Sequence, residues 1–378
     1  MNDSKPIIIN SIIGNESFGF LYKDENSNLK LFNNDYSLSY KELAKYDNQF
    51  IIDDLNDNNE LERIYGIGNF FKLKEKSHIY TYMNNAYGCA GTDLDDSEIN
   101  LYDSYQKKIY QYHELKTVEG LKCDDISEIY DTYSFKPGYG LKTYFLSNDR
   151  KIVYVSGKIE DTYYLAPVKV IELKENYIKR CGSMDYGGFL YLLSDGRLYY
   201  WGDNDKNTIC SNQDKSYISN GPILLGYNIE DIWVMANLCI YKRGINYYFF
   251  GYSRSSYSKF PLGLDSKSNT RYPFPGEQLR HLPFSDPDNI KQLIIMKYGV
   301  GVLLNNGYLY ITGRDQQFDI EDEKCKLIEV EGVNEIAFTN GYVLGYRKDG
   351  IYYHTSDGNK LSQYMYRPHI YHPSIAMI

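Results

Sequence analysis

The sequence predicts an all-β chain, and more specifically a seven-bladed β-propeller in which residues 1–378 form a single domain. Tyrosine is unusually frequent, at 42 residues, and aromatic side chains favour pleated strands over helices. A hairpin-like unit recurs seven times, with successive turns roughly 43 to 72 residues apart, a period typical of propeller blades. Helical periodicity is confined to two short candidates, Leu61–Tyr65 and Tyr102–Leu115. A β-sandwich or a solenoid built from the same hairpins is the alternative architecture.

The clearest unit is CGSMDYGGFLYLLSDGRLYYWGDN, which runs from Cys181 to Asn204. It contains an alternating apolar strand, the dipeptide Asp195-Gly196 and a second aromatic strand. Asp-Gly between two such runs is a strong hairpin signal, because both turn positions require positive φ. The sequence therefore predicts a tight hairpin at the centre of this unit.

The other units repeat this pattern along the chain. The predicted turns, in chain order, are Glu25–Asn28, Lys76-Ser77, Asn148-Asp149, Asp195-Gly196, Arg243-Gly244, Asn306-Gly307 and Asp349-Gly350. Apolar stretches ahead of the hairpins supply further strands, for example Ile7–Ile13, Ile232–Met235, Leu293–Met296 and Val333–Phe338. Four strands per unit use the whole chain, with polar or proline-bearing insertions at about 90–125 and 253–288.

Charge and cysteine content exclude several classes of protein. The chain has 41 Lys and Arg against 50 Asp and Glu, a net charge of -9, so we expect no direct nucleic-acid binding and no membrane partner through bulk charge. Six cysteines without a CxxC pair are typical of reduced, buried thiols. Without a signal segment or a long apolar run, the expected location is the nucleus or the cytoplasm.

The sequence contains no motif for conventional catalysis. It lacks the phosphate-binding GxxxxGK[ST] loop, the GxSxG nucleophile elbow and the HExxH zinc motif. His369 and His372 are the one close pair of histidines, and no cysteine or carboxylate ligand stands near them. We therefore predict no catalytic residues, no metal site and no cofactor.

Two segments resemble the regulator of chromosome condensation repeat family. The better match is Leu193–Asn204, LSDGRLYYWGDN, and the second is Leu304–Arg314, LNNGYLYITGR. The resemblance extends loosely from about Ile7 to Leu361 and implies a seven-bladed propeller. It also implies a function: binding a Ran-type small GTPase on one propeller face and promoting GDP release, aided by a β-wedge that projects from the third blade.

The resemblance implies specific GTPase-binding positions. Asp185 matches a functional aspartate of the fourth blade, and Tyr186 replaces the family's histidine beside it. Asp35 matches an interacting aspartate of the first blade. The wedge position is occupied by Gly157–Thr162, with Lys158, Glu160 and Asp161 as its charged residues. Each position also has a structural interpretation: Asp185 as a turn cap, Asp35 as a turn residue and the 158–161 segment as a solvated loop.

This sequence departs from the family pattern at the starts of the blades. Gly-His pairs that the family carries there are replaced by Gly68-Asn69, Tyr298-Gly299 and Asn340-Gly341. The third-blade aspartate of the family has no clear counterpart near Pro137–Leu141. These departures leave open an alternative function, a non-catalytic interaction propeller that serves as a scaffold or as a subunit of a larger assembly.

The proline-bearing segment Ser253–Asp288 is a second candidate for a partner surface. Its aromatic residues Phe260, Phe274 and Phe284 are possible exposed anchors for a partner protein. The alternative is that these side chains pack the loop back onto the propeller.

Overall fold

The structure is a computed structural model, and it is built from β-strands. It describes residues 9–10, 19–23, 29–33, 61–65, 70–73, 76–81, 91–92, 116–131, 142–160, 162–184, 188–202, 204, 209, 221–235, 238–252, 271–280, 283–296, 299–313, 326–328, 332–339, 343–348, 351–357 and 360–362. Within these ranges there is no α-helix, and two short 3-10 turns are found at Cys123–Asp125 and Pro287–Asn289. No helix in this part of the chain is long and apolar enough to cross a membrane. The all-β prediction is confirmed.

The described residues up to Tyr177 form one compact unit, and those from Ile178 onwards form a second. The first unit contains three antiparallel sheets, β1–β3, β4–β7 and β8–β11, in which neighbouring strands follow one another in sequence. Its strands are β1 Ile9–Asn10, β2 Gly19–Lys23, β3 Leu29–Asn33, β4 Leu61–Tyr65, β5 Phe70–Leu73, β6 His78–Thr81, β7 Lys116–Lys122, β8 Ile126–Asp131, β9 Lys142–Ser147, β10 Ile152–Ile159 and β11 Thr162–Glu172.

The second unit contains four sheets of four strands each, again as sequential antiparallel meanders. They are β12 Ile178–Met184, β13 Gly188–Leu193, β14 Leu198–Trp201 and β15 Ile223–Gly226; β16 Asp231–Met235, β17 Leu238–Arg243, β18 Asn246–Tyr252 and β19 Arg271–Gln278; β20 Ile290–Met296, β21 Gly299–Leu304, β22 Leu309–Gly313 and β23 Lys326–Ile328; β24 Val333–Thr339, β25 Val343–Lys348, β26 Ile351–Asp357 and β27 Lys360–Ser362. Of the four stretches predicted as additional strands, Ile232–Met235, Leu293–Met296 and Val333–Phe338 lie within β16, β20 and β24, and Ile7–Ile13 includes β1.

Two of the predicted hairpin turns have the same hydrogen-bond pattern. Gly196 and Gly307 adopt φ of 84° and 83°, values in the left-handed region that favours glycine. The Gly196 carbonyl accepts from the Ile229 amide at 3.0 Å, and the Gly307 carbonyl accepts from the Val333 amide at 3.2 Å. In both hairpins, the turn glycine is therefore hydrogen-bonded to the segment that leads into the next sheet. The same arrangement at both turns confirms the repeat seen in the sequence. The predicted turns at Glu25–Asn28 and Asp349-Gly350 lie outside the described residues.

A β-bulge near the start of the first strand is a second repeated feature. It occurs in β4, β8, β12, β20 and β24. In each case the strand register skips one residue of the first strand. This skip explains why Leu61–Tyr65 was a candidate helix: the spacing of three between Leu61 and Ile64 imitates a helical period, whereas the segment is strand β4.

The predicted insertions extend less far than their assigned bounds. Strand β7 lies inside 90–125 and strand β19 lies inside 253–288, and each is the fourth strand of its sheet. Both strands break the usual strand pattern, because β7 has a glycine at position 120 with φ of 71° and β19 contains Pro273 and Pro275. Proline is accepted in β19 because this strand lies at the sheet edge.

Buried apolar side chains from neighbouring strands form separate cores. One core of the first unit contains Phe70, Ile79, Val118, Leu121, Cys123, Ile126, Ile129 and Phe145. In the second unit, one core contains Met184, Leu190, Leu192, Leu198, Tyr200, Ile209, Ile229, Ile232, Cys239, Tyr241 and Phe250, and another contains Leu238, Ile240, Tyr247, Phe249, Leu279, Phe284, Leu293, Ile295, Val300, Val302 and Leu304. Tyr154 of strand β10, which carries part of the candidate site, packs against the core of the first unit.

Candidate functional site

The wedge position of the sequence is the tip of a hairpin formed by β10 and β11. Strand β11 has 11 residues, the greatest length among the described strands, and pairs with β10 up to the Ile159–Thr162 pair. Glu160 is the described residue of the turn between them. Among the described residues, β9 pairs with β10 as far as Gly157, which faces Lys142, the first described residue of β9. Beyond Gly157, Lys158 and Ile159 continue the pairing with β11 over roughly 7 Å of strand.

Backbone geometry at the tip is unusual for the residue that occupies it. Glu160 adopts φ of 52°, in the left-handed region that non-glycine residues rarely enter. A glutamate there costs on the order of 1 kcal/mol relative to glycine, and such residues cluster at functional sites. The side chain of Glu160 is exposed. The paired strands on both sides of the turn fix the position of Glu160. Its carboxylate therefore faces solvent at the end of a regular hairpin.

Lys158 and Tyr163 face each other across the hairpin just below this turn. They are direct partners in the strand register, and the Lys158 Nζ atom lies 5.7 Å from the centroid of the Tyr163 ring. This distance is within the range of a cation–π contact, worth about 0.5–1 kcal/mol at an exposed site. Tyr163 is 45% exposed in spite of that contact. The tip therefore combines a carboxylate, an ammonium group and an aromatic ring.

Sequence reasoning missed Tyr163. The available signal is its position one residue after the wedge segment Gly157–Thr162, opposite Lys158 in the hairpin. In a hairpin with a tight turn, residues at equal distances from the turn are cross-strand neighbours. Applying this rule to Glu160-Asp161 identifies Lys158 and Tyr163 as a pair.

Below the tip, buried polar side chains support the hairpin. Lys142, Thr143 and Ser156 are each at most 1% exposed. In the β9–β10 register, Thr143 faces Ser156 and Lys142 faces Gly157. Thr92 is also buried, and its Oγ1 atom has no hydrogen-bond partner in the structure. Burying polar groups in this way is costly unless they are paired, and paired groups hold the strands in one register.

The other predicted GTPase-binding residues lie outside the described residues. Asp185 and Tyr186 fall in the connection between β12, which ends at Met184, and β13, which begins at Gly188. Asp35, beyond the end of β3, and Asp161, between β10 and β11 in the sequence, are likewise not described. Of the six positions predicted, the structure thus describes Lys158 and Glu160, which it brings together on one hairpin.

Two of the three predicted aromatic anchors are packed, not free. Phe284 is 4% exposed, and its ring centroid lies 5.6 Å from that of Tyr247. Phe274 is half-buried and packs on Tyr241 and Phe250, at 5.5 and 5.4 Å between ring centroids. Neither ring is available as an exposed anchor, because each fills space beside a core of the second unit. Phe260 lies outside the described residues.

The described residues offer no constellation for covalent or metal chemistry. No three His, Cys, Asp or Glu side chains among them converge as metal ligands would. Cys123, Cys181 and Cys239 are buried, and burial raises the pKa of the Cys239 thiol well above its usual value. A buried thiol with a raised pKa is a poor nucleophile. The chemistry available at the hairpin tip is therefore recognition by charge and aromatic contact.

Comparison with known proteins places this architecture among solved structures. No family model matches the sequence, and no curated protein matches it either. Human WBSCR16 is similar in structure, with a TM-score of 0.55 and 15% sequence identity over 93% of this chain and 88% of that one. The fold is that of an RCC1-like β-propeller.

Yeast structures of the same type agree with this assignment of the fold. RCC1 of yeast (Prp20), solved with Kap60, has a TM-score of 0.54 and 14% identity over 84% of this chain and 76% of that one. Prp20p of Saccharomyces cerevisiae, described with its binding to Gsp1p and histones, has a TM-score of 0.51 and 14% identity over 77% and 70%. Such low identities establish the RCC1-like fold alone.

Proposed function

We propose that this chain is a protein-binding propeller whose partner is a Ran-type small GTPase, and that the β10–β11 hairpin promotes release of GDP from it. The observation that carries the proposal is the β10–β11 hairpin of the third sheet, which presents an exposed glutamate with a left-handed backbone at the sequence position of the family's β-wedge. Binding of proteins by neighbours with this fold supports it, since yeast Prp20p was described with its binding to Gsp1p and Kap60 was solved with yeast RCC1.

Nucleotide exchange requires no proton transfer or nucleophile, only a difference in affinity. A protein that binds the nucleotide-free GTPase more tightly than the GDP form lowers the affinity for GDP by the same factor. In small GTPases a lysine of the phosphate-binding loop holds the nucleotide phosphates. Carboxylates at Glu160 and Asp161 would compete with those phosphates for the lysine, while the Lys158–Tyr163 contact keeps the hairpin tip in place.

Asp35, Asp185 and Tyr186 complete the proposed binding surface. Their roles are proposed on the resemblance alone: acidic side chains that complement basic groups on the GTPase. An aspartate that pairs with an arginine or lysine across an interface contributes orientation and association rate more than raw affinity.

The test is release of a fluorescent GDP analogue from a Ran-type GTPase, at several concentrations of the propeller. We expect the wild type to accelerate release and Glu160→Asn to reduce the rate about tenfold, equivalent to one charge-assisted contact of about 1.4 kcal/mol. Asparagine tolerates the left-handed backbone of this position, so the substitution removes the charge without straining the turn. Asp185→Ala should reduce the rate by a similar factor.

Glu175→Gln provides the matched control, because Glu175 is an exposed acid in the loop after β11, at the far end of the strand from the tip. Its exchange rate should equal that of the wild type. If the folded wild type fails to accelerate release, or if Glu175→Gln and Glu160→Asn are equally impaired, the proposed exchange activity is wrong.

The second candidate function is a non-catalytic interaction propeller. Two features favour it: the hairpin turn has only two residues, and the family's Gly-His pairs are absent at Gly68-Asn69, Tyr298-Gly299 and Asn340-Gly341. A scaffold would bind its partner equally well whatever nucleotide is bound. Equal affinity for the GDP-bound and nucleotide-free forms of the GTPase, measured beside the exchange assay, would therefore favour this second function.

A further inference from the structure

The most exposed large hydrophobic side chains described in the second unit lie on two neighbouring turns. Ile245 is 67% exposed and Tyr227 is 55% exposed. Ile245 belongs to the turn between β17 and β18, and Tyr227 to the connection between β15 and β16. The Arg243 Nη2 atom donates to the Tyr227 carbonyl at 2.7 Å, which joins the two turns. We call Tyr227, Arg243 and Ile245 the arginine patch.

Ile245 is an unexpected residue for its position. Arg243 pairs with Asn246, so the turn consists of Gly244 and Ile245, and Gly244 has φ of 57°. Two-residue turns that begin with a left-handed glycine normally continue with a small polar residue, because the second position projects into water. A β-branched apolar residue contributes nothing to such a turn. Positions that break a local rule without a structural gain are expected at functional sites.

Arg243 carries a charge that no carboxylate of the described residues neutralises. Among the described residues its hydrogen bond is to the Tyr227 carbonyl, and the residue is exposed. The neighbouring Lys242 is paired with Glu230 at 3.8 Å and lies 5.9 Å above the Tyr247 ring. Lys179 donates to the Glu230 carbonyl at 2.7 Å. Positive charge therefore exceeds negative charge around the patch, although the whole chain is acidic.

We propose that the arginine patch is a second binding surface, which takes a short peptide segment of a partner protein with a carboxylate beside an apolar side chain. The carboxylate would accept two parallel hydrogen bonds from Arg243, which the Tyr227 carbonyl holds in place. The apolar side chain would cover Ile245 and the Tyr227 ring. Arginine and tyrosine are the residue types that dominate binding energy at interfaces. This surface is independent of the proposed GTPase-binding hairpin.

An acidic peptide is favoured over an anionic membrane by the number of charges. A membrane surface attracts proteins through several unpaired cations, each contributing modestly. The patch has one unpaired guanidinium, and the net charge of -9 opposes approach to an anionic surface. The single charge of Arg243, beside Ile245 and Tyr227, is complementary to one carboxylate beside an apolar side chain in a peptide.

The experiment uses fluorescein-labelled short peptides in which one aspartate or glutamate stands beside leucine, isoleucine or phenylalanine. Each peptide has a counterpart in which asparagine or glutamine replaces the acid. By fluorescence anisotropy with the full chain, we expect acidic peptides to bind at least about fivefold more tightly than their amide counterparts. Arg243→Gln should abolish that difference, and Ile245→Asn should weaken both sets.

Two variants keep this test decisive. Ile245→Asn introduces a favourable turn residue, so loss of binding cannot be attributed to loss of fold. Arg280→Gln makes the same charge change at another exposed arginine of the second unit and should leave peptide binding unchanged. The proposal is wrong if no acidic peptide binds, if amide counterparts bind equally well, if Arg243→Gln binds as the wild type does, or if only vesicles of anionic lipid bind.

Discussion

Tyr247 shows how a single core side chain makes stability depend on pH. Its ring packs against Trp233 and Phe284, with centroids 5.8 and 5.6 Å away, and the residue is 4% exposed. Burial raises the pKa of Tyr247 to about 12, and the negative charges of Asp231 and Glu230 add to the effect. Both causes disfavour the phenolate, so the folded protein holds the neutral phenol at pH values where an unfolded tyrosine has ionised.

The expected result is a loss of stability in alkali that a phenylalanine at position 247 reduces. An unfolded tyrosine ionises near pH 10 and folded Tyr247 near pH 12, so its contribution is complete below pH 10 and disappears as the pH rises to 12. Between about pH 9 and 12, the free energy of unfolding should fall by about 2 kcal/mol less in Tyr247→Phe than in the wild type. Denaturant titrations at both pH values measure this, with Tyr177→Phe, at an exposed tyrosine, as the control for losing a hydroxyl. Equal pH dependence in wild type and Tyr247→Phe would show that ionisation of this residue is not coupled to unfolding.

At the same scale, the residues of the candidate site were only partly predictable. Lys158 and Glu160 could be selected because a motif position and their charge mark them. Tyr163 could not be selected by type, because 42 tyrosines occur in the chain and many of them lie in strands that are not part of the candidate site. Phe284 looked like a possible anchor because proline-rich segments are often exposed, whereas it fills a core. Exposure depends on which strands pack together, and local sequence does not contain that information.

In the second unit, side chains at the starts of β12 and β20 bond to the sheet that follows. Lys179 and Lys291 occupy the bulges of β12 and β20. Their ammonium groups donate to the carbonyls of Glu230, just before β16, and Asn334, in β24, at 2.7 and 2.9 Å. The residue after each bulge also reaches the next sheet. Arg180 pairs with Asp231 at 3.3 Å, and the Gln292 side chain exchanges two hydrogen bonds with the Ile336 backbone, at 2.8 and 3.0 Å.

The side-chain amide of Gln292 bonds to both the N–H and the C=O of Ile336, as the backbone of a neighbouring strand would. Gln292→Leu should destabilise the protein by about 1–3 kcal/mol, since the buried N–H and C=O of Ile336 lose their partners. Lys291→Met removes one exposed contact and should cost less than about 1 kcal/mol. Unfolding in denaturant compares the two neighbouring substitutions directly. Equal losses of stability would mean that the Gln292 amide contributes no more than a surface contact.

Element by element, hairpins were more predictable than the strands around them. Asp195-Gly196 and Asn306-Gly307 were recognisable because left-handed turn positions restrict the choice of residue. First strands with bulges were harder, since the shift in alternation disguises the period of two that marks a strand, as in β4. Fourth strands such as β19 were assigned to insertions, because an edge position allows prolines that a central strand excludes.

At the scale of the whole molecule, the acidic excess has two interpretations that the sequence leaves open. A net charge of -9 can serve solubility alone, or it can attract a partner with a basic surface. The two interpretations predict different association rates. Long-range attraction speeds the encounter of two proteins and is screened by salt, whereas solubility has no effect on the rate of a specific association.

If the charge attracts the proposed GTPase, the association rate constant should fall about tenfold when ionic strength rises from roughly 0.05 to 0.3 M. Screening shortens the reach of the charges over that range from roughly 14 to 6 Å, while contacts already formed at the hairpin tip are affected less. The dissociation rate constant should therefore change little. Stopped-flow mixing with nucleotide-free GTPase measures both constants. In Glu160→Asn, one charge of many is removed, so the salt dependence should persist while dissociation becomes faster. An association rate constant that does not change with ionic strength would leave solubility as the role of the acidic surface.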